Sequence, residues 1–190
     1  MKKIMFNDRF GLTQSVLKGR KTMTRRIIPN VSGIRKSPFV KSGWEDIHGY
    51  ELKPKYQIGE VVAIAMSYEY IFYDLQCGLP DECSIGAGWK NKMFVKAEYM
   101  PCKIKITNIV AEQLQDISDE DCLKEGIYKL CSANGNGGIS YSFVGASSNK
   151  HIGLYASPRE AFAVLIDKIS GKGTWERNPF VFVYEFELTN

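Results

Sequence analysis

In residues 102–109, "CKIKITNI", Ile104 and Ile106 alternate with Lys103, Lys105 and Thr107. A side-chain period of two marks a strand with one face in a core and the other in water. Further strands are read in "GEVVAIAMSYEYIF", opened by Gly59, in "KMFVKAEY", and in the closing "NPFVFVYEFEL". "RRII" at 25–28 reads as extended, and "DLQCGLPDECSIGAGWKN" reads as a hairpin loop between two of the strands. Three helices interrupt the pattern. "SPREAFAVLIDKISG" has Ser157 as cap, Pro158 in the first helical position, Glu160 to complete a capping box and Gly171 as its stop. "DISDEDCLKEGI" has Ser118 as cap, Asp119, Glu120 and Asp121 in the dipole-favoured first turn, and Gly126 at its end. "DRFGLTQSVLKG" is a short helix with Phe10, Val16 and Leu17 on one face and Gly19 as its stop. This order predicts an α+β fold, a small β-barrel with short flanking helices, and not a doubly wound sheet.

Composition narrows the class. The 190 residues fit one domain, 1–190, and 44% hydrophobic content is enough for a core. Two stretches read as loop insertions: 29–57, rich in Pro, Gly, Ser and Lys with Trp44 and Tyr50 as apolar anchors, and 131–156, rich in Gly, Ser and Asn. No apolar run is long enough to span a membrane, and the N-terminus lacks the apolar core of a signal peptide. Five cysteines without a C-x-x-C pair predict reduced thiols in a cytoplasmic protein. With only His48 and His151 as histidines, neither a metal site nor another cofactor is expected.

Charge is unevenly placed. Residues 1–60 carry 13 Lys/Arg against 5 Asp/Glu, whereas the remainder carries 12 against 16. A basic N-terminal third predicts an anionic partner, most simply nucleic acid. The densest stretch is "KGRKTMTRR" at 18–26, in which five of nine residues are basic. A solvated charged face is the plain alternative.

"LKGRKTMTRRI" resembles the signature of the ASCH domain, a PUA-like β-barrel family, with Gly19, Lys21, Thr24 and Arg26 at the motif positions. The resemblance continues in "YQIGEVVAI", in "KIKITNIVAEQLQDISDEDCLKEGI" and in "AFAVLIDKISGKGTWERNPFVFVYEFEL", and it is nearest to the longer ASCH proteins of phages, prophages and gut bacteria. One feature departs: where the phage-type proteins carry Arg-Glu after the first central strand, this chain has Ala65 and Met66. The resemblance implies a module that binds RNA, or a nucleoside or nucleotide, in a basic cleft built from Gly19, Arg20, Lys21, Arg25 and Arg26. It also implies, as an alternative, the amidohydrolase branch that acts on N4-acetylcytidine, whose lysine, threonine and glutamate correspond to Lys21, Thr24 and Glu125. A phage-derived protein-interaction module is a third class. The oligomeric state is left open.

The hydrolytic chemistry is coherent in outline. Thr24 needs a base beside it to act as a nucleophile. Lys21 can be that base if its pKa falls from about 10.4 toward neutrality. Arg20, Arg25 and Arg26 would lower it by repulsion, and an ionised Glu125 would raise it. Residues 21 and 24 of a regular strand face opposite ways, so the two can share a cleft only if the chain turns after Gly19. Structural roles stand beside each of these. Lys21 can be an ion-pair partner of a carboxylate on the acidic helix, Thr24 a β-former with a satisfied hydroxyl, and Glu125 a surface residue. Trp175 reads as core rather than a base-stacking platform, and Tyr68 and Tyr70 as cleft or core residues on a strand.

Overall fold

The computed structural model of the chain describes residues 1–84, 86–131, 138–145 and 150–189. In chain order the strands and α-helices are β1 (Lys3–Ile4), α1 (Leu12–Leu17), β2 (Met23–Ile27), β3 (Ile34–Lys36), β4 (Trp44–Asp46) and β5 (Val61–Ile64). Then come α2 (Tyr68–Tyr73), β6 (Lys103–Gln113), α3 (Asp119–Lys124), β7 (Tyr128–Cys131) and β8 (Ile139–Val144). β9 (His151–Tyr155), α4 (Pro158–Ser170), α5 (Thr174–Arg177) and β10 (Phe180–Thr189) complete the order.

The alternating stretch begins β6, which pairs antiparallel along its length with β10, from Phe180 opposite Gln113 to Thr189 opposite Lys103. Ile104 and Ile106 are fully buried while Lys105 is exposed, as the period requires. β2 continues the sheet on the other side of β10, placing Thr24 opposite Tyr184, Arg25 opposite Val183 and Arg26 opposite Phe182. β5 pairs antiparallel with β6, and the two-residue β1 runs parallel to β5. The order β1-β5-β6-β10-β2 is open at both ends. The fold is mixed α and β as expected, but among the described residues no sheet closes into a barrel.

Two segments depart from the strands expected of them. "SYEYIF" was expected to prolong β5, yet it is α2. Ser67 caps it by accepting from the Tyr70 N–H at 3.3 Å, and Tyr68 and Ile71, one helical turn apart, are its buried residues. "KMFVKAEY" is not a strand either. The Lys3 ammonium donates to the carbonyls of Met93 and Val95, each at 2.7 Å, and a short 3₁₀ turn follows at Ala97–Tyr99. With these two segments in other conformations, "DLQCGLPDECSIGAGWKN" is not a hairpin loop.

Both expected insertions hold strands. Within 29–57, β3 and β4 form a two-stranded hairpin, and Tyr50 is exposed. Trp44 is half-buried against the core, and Tyr56 is a further anchor, which packs edge-to-face on Tyr184 at 5.3 Å and donates to the Lys3 carbonyl. Within 131–156, β8 pairs with β7 and β9 in a three-stranded sheet. Its Phe143 is a fully buried core residue, against Phe10 at 5.9 Å and Tyr155 at 6.2 Å. Residues 132–137 and 146–149 of that stretch lie outside the described residues.

The helices follow their local signals. Ser118 caps α3 through the Asp121 N–H. Ser157 caps α4 through the Glu160 N–H at 3.1 Å, although the Glu160 carboxylate accepts from Ala156, one residue before the cap. α4 buries Ala161, Phe162, Leu165 and Ile166 and packs against α3, α5, β8 and β9. The 8–17 helix is broken in two: Gly11, at φ +61°, separates a 3₁₀ turn at Asp8–Phe10 from α1. Trp175 is half-buried against Phe162. Among the described residues no helix is long and apolar enough to cross a membrane.

Gly126, just after α3, sits at φ +109°, and an added Cβ would lie 3.1 Å from Leu12 Cδ2. Gly126→Ala combines a backbone conformation that L-residues avoid with a tight contact. It is expected to destabilise the protein by about 1–3 kcal/mol, read as a lower urea midpoint at unchanged slope.

Candidate functional site

After α1 the chain reverses. Gly19 takes φ +69°, its N–H donates to the Val16 carbonyl, and the N–H groups of Arg20 and Lys21 both reach back to the Ser15 carbonyl. Lys21 therefore lies in the turn and not in β2, which starts at Met23. The alternation that would have set Lys21 and Thr24 on opposite faces does not apply. The Thr22 N–H then donates to the Lys124 carbonyl at 3.0 Å, tying the turn to the end of α3.

Lys21 is 2% exposed. Its ammonium donates to the Met23 carbonyl at 2.7 Å, to the Glu125 carbonyl at 2.8 Å and to Glu125 Oε2 at 2.5 Å. Glu125, the C-terminal cap residue of α3, is buried too. Its second oxygen accepts from Arg25 Nη1 at 3.2 Å. Arg25 also reaches Glu112 on β6 at 2.8 Å and Asp121 on α3 at 3.3 Å. Two buried cations, Lys21 and Arg25, and three carboxylates thus form one cluster that joins the turn, β2, β6 and α3, with the exposed Lys124 also on Asp121 at 3.3 Å. Burial pushes the Lys21 pKa below its ordinary value, with the Glu125 carboxylate acting against it. Burial alone would lower Arg25 as well, but Glu125 and Glu112 outweigh it and hold the guanidinium above its usual range.

The cluster forms part of the wall of a cavity of about 550 Å³. Lys21, Thr24, Arg25, Arg26 and Glu125 all line it, so residues 100 positions apart meet at one concave surface. The opposite wall is apolar, with Phe162, Leu165, Ile166 and Ile169 from α4. Among the described residues none hydrogen-bonds the Thr24 hydroxyl, although Thr24 itself is only 5% exposed. Arg26 is exposed, donates to the Met5 carbonyl at 2.6 Å and has no carboxylate partner among the described residues.

The other basic residues of the motif have different roles. Arg25, grouped with Arg26 in the sequence as a contact for a ligand, has its guanidinium engaged by carboxylates. Arg20 lies outside the cavity lining and stacks on Tyr128, its guanidinium 4.8 Å from the ring centroid. Gly19 does not line it either; its positive φ makes the turn. Sequence reasoning missed Asp8 and Lys92, which form an ion pair at 2.7 Å on the cavity wall, and Glu112, which anchors Arg25. The apolar stripe of α4 was the one legible signal for the opposite wall. Tyr68 and Tyr70 do not line this cavity. Among the described residues no group of His, Cys, Asp or Glu is placed to hold a metal, and the three carboxylates that gather do so around Arg25.

No protein-family model matches the chain, and neither a curated protein nor a solved structure matches it.

Removing one partner of a buried ion pair costs about 3–5 kcal/mol. Glu125 keeps Arg25 when Lys21 is lost, so Lys21→Met belongs at the lower end of that range. The pH dependence has a definite sign. Between its lowered folded pKa and 10.5, Lys21 binds a proton in the unfolded chain that it has released in the folded one. Its contribution to stability therefore rises with pH through that window. The gap in unfolding free energy between the protein and Lys21→Met should widen as the pH is raised toward 10.5; a constant gap in urea titrations would mean that folded Lys21 keeps its proton.

Proposed function

We propose that the chain is an ASCH-like module that binds a nucleoside or nucleotide, free or within RNA, in the cavity between β2 and α4. The observation that carries this reading is the convergence of Thr24, Arg26 and the Lys21–Glu125 pair on one polar wall facing an apolar one. A cavity of about 550 Å³ with such walls suits a planar, hydrogen-bonding ligand with an apolar face. Among the described residues nothing engages the Thr24 hydroxyl, which is available to a ligand, and no carboxylate pairs with Arg26, which supplies a cation. The five cysteines are free thiols, which supports a cytoplasmic setting.

Hydrolysis of an N4-acetylcytidine-type amide is the second reading. It is favoured by a lysine of lowered basicity and an unengaged hydroxyl on the same wall. In that scheme Thr24 Oγ attacks the acetyl carbonyl carbon and its proton passes to the Lys21 amine. The C–N bond breaks as the exocyclic nitrogen takes up a proton, and water then releases acetate from Thr24. Binding ranks first because the Lys21 ammonium already donates to three acceptors within the protein. An amine so engaged has no free lone pair until it loses a proton.

Calorimetric titration with the four ribonucleosides, their 5′-monophosphates and N4-acetylcytidine tests both readings. At least one of these should bind, and Thr24→Val should weaken it by the equivalent of one hydrogen bond, about 0.5–1.5 kcal/mol, with the melting temperature little changed. Absence of heat and of competition for every probe would overturn the binding reading. Cytidine released from N4-acetylcytidine by the protein, and not by Thr24→Val, would put hydrolysis first.

A further inference from the structure

The cavity has a neighbour. A second hollow of about 320 Å³ shares Met5, Arg26 and Ile27 with the first, so the two adjoin along β2 with Arg26 on the ridge between them. Its floor is apolar and aromatic. Tyr56, Phe182 and Tyr184 are buried there, and the hydroxyls of both tyrosines are engaged, Tyr56 donating to the Lys3 carbonyl and Tyr184 accepting from the Lys55 N–H. Its rim is cationic: Arg26, Lys53 and Lys55 line it, and among the described residues no carboxylate does. Lys55 has no carboxylate partner among the described residues, and its ammonium lies 5.5 Å from the Tyr56 ring centroid. Lys53 reaches Glu51 at 3.5 Å, but with its side chain 79% exposed that pair is weak and exchangeable.

An aromatic floor under three cations is the composition of a surface that holds a base or ribose on its apolar part and phosphate on its edge. The first cavity differs: its cations Lys21, Arg25 and Lys92 are each paired with a carboxylate, leaving Arg26 as the one shared with the second. A lone nucleoside would need the first cavity only.

We infer that the two hollows form one track for single-stranded RNA, with a nucleotide in each and the connecting phosphodiester at Arg26. The inference rests on the reading of the first cavity as a nucleoside site and adds that the natural ligand is a strand. Phosphate contact brings salt dependence, with a slope of roughly −0.7 in log affinity against log salt for each phosphate neutralised on a single strand.

The test compares each ribonucleoside, its 5′-monophosphate and its homodinucleotide by calorimetry at low and moderate salt, with the protein, Lys55→Ala and Lys53→Ala/Lys55→Ala. Both lysines are exposed, so the variants should keep the melting temperature. The dinucleotide should bind more tightly than the nucleoside and the monophosphate. The double variant should weaken the dinucleotide by about two- to fivefold for each lysine and flatten its salt slope, while leaving nucleoside affinity unchanged. Equal affinity for nucleoside and dinucleotide overturns the track but leaves the nucleoside site standing. A monophosphate that binds as tightly as the dinucleotide also overturns it, reducing the second hollow to a phosphate contact. Silence from every probe overturns both readings together.

Discussion

The buried contact between Lys21 and Glu125 is the joint on which the site depends. One side chain comes from a turn near the N-terminus and the other from the end of α3, and each is almost wholly removed from water. An isolated charge in such a place is prohibitive, so each fixes the position of the other. Arg25 extends the joint to β6 through Glu112 and back to α3 through Asp121. Whether such a cluster adds net stability over an apolar equivalent is secondary, because desolvation offsets much of the attraction. Its consequence is positional: the cluster ties the turn, β2 and α3 together, and its members form part of the polar wall of the cavity.

The joint explains how a local motif becomes a site. Gly19 reverses the chain, Lys21 is held in the reversal, and β2 leaves it along the edge of the sheet. An edge strand has one neighbour, here β10, so the other side of β2 is free to border a cavity. α4 supplies the apolar wall because its cap and stop residues set its limits, and its stripe at three- and four-residue spacing buries Phe162, Leu165 and Ile166. The motif, the acidic helix and the longest helix, separated in the chain by most of its length, thereby enclose one volume.

Features written locally were legible in the sequence. Ser118 and Ser157 mark helix starts by side-chain acceptors within three residues, and the alternation of Ile104 and Ile106 gives β6 its buried face. Features set by tertiary contacts were not. "SYEYIF" is rich in aromatic residues that favour strands, but a capping serine and the burial of Tyr68 with Ile71 decide for a helix. "ISYSFV" lies among glycines and serines, yet Phe143 has a core position between Phe10 and Tyr155 that composition does not reveal. The expected barrel is not seen among the described residues, where "SYEYIF" leaves β5 short, "KMFVKAEY" forms no strand and the strands of the two insertions pair in sheets of their own. Within the site, the meeting of Lys21, Thr24 and Glu125 was foreseeable from the motif resemblance. Lys92 was not: it lies in a loop with no periodicity and is held at the cavity by Asp8 and the Phe6 carbonyl.

The two adjacent arginines separate structure from recognition. In the sequence Arg25 and Arg26 are equivalent members of one basic run. On β2 their side chains leave the strand in alternate directions. Arg25 turns inward, where Glu112, Asp121 and Glu125 leave it no capacity for an outside anion. Arg26 turns to the surface, where it meets a carbonyl oxygen and two hollows. The basic character of the run therefore overstates its capacity for phosphate. Of its five cations, Lys21 and Arg25 serve the fold and Arg20 is stacked on Tyr128. The cations that line the second hollow, where no described lining residue is a carboxylate, are Arg26 and, from outside the run, Lys53 and Lys55. Charge counted along a chain locates a basic region; alternation and burial decide which members of it can meet a ligand.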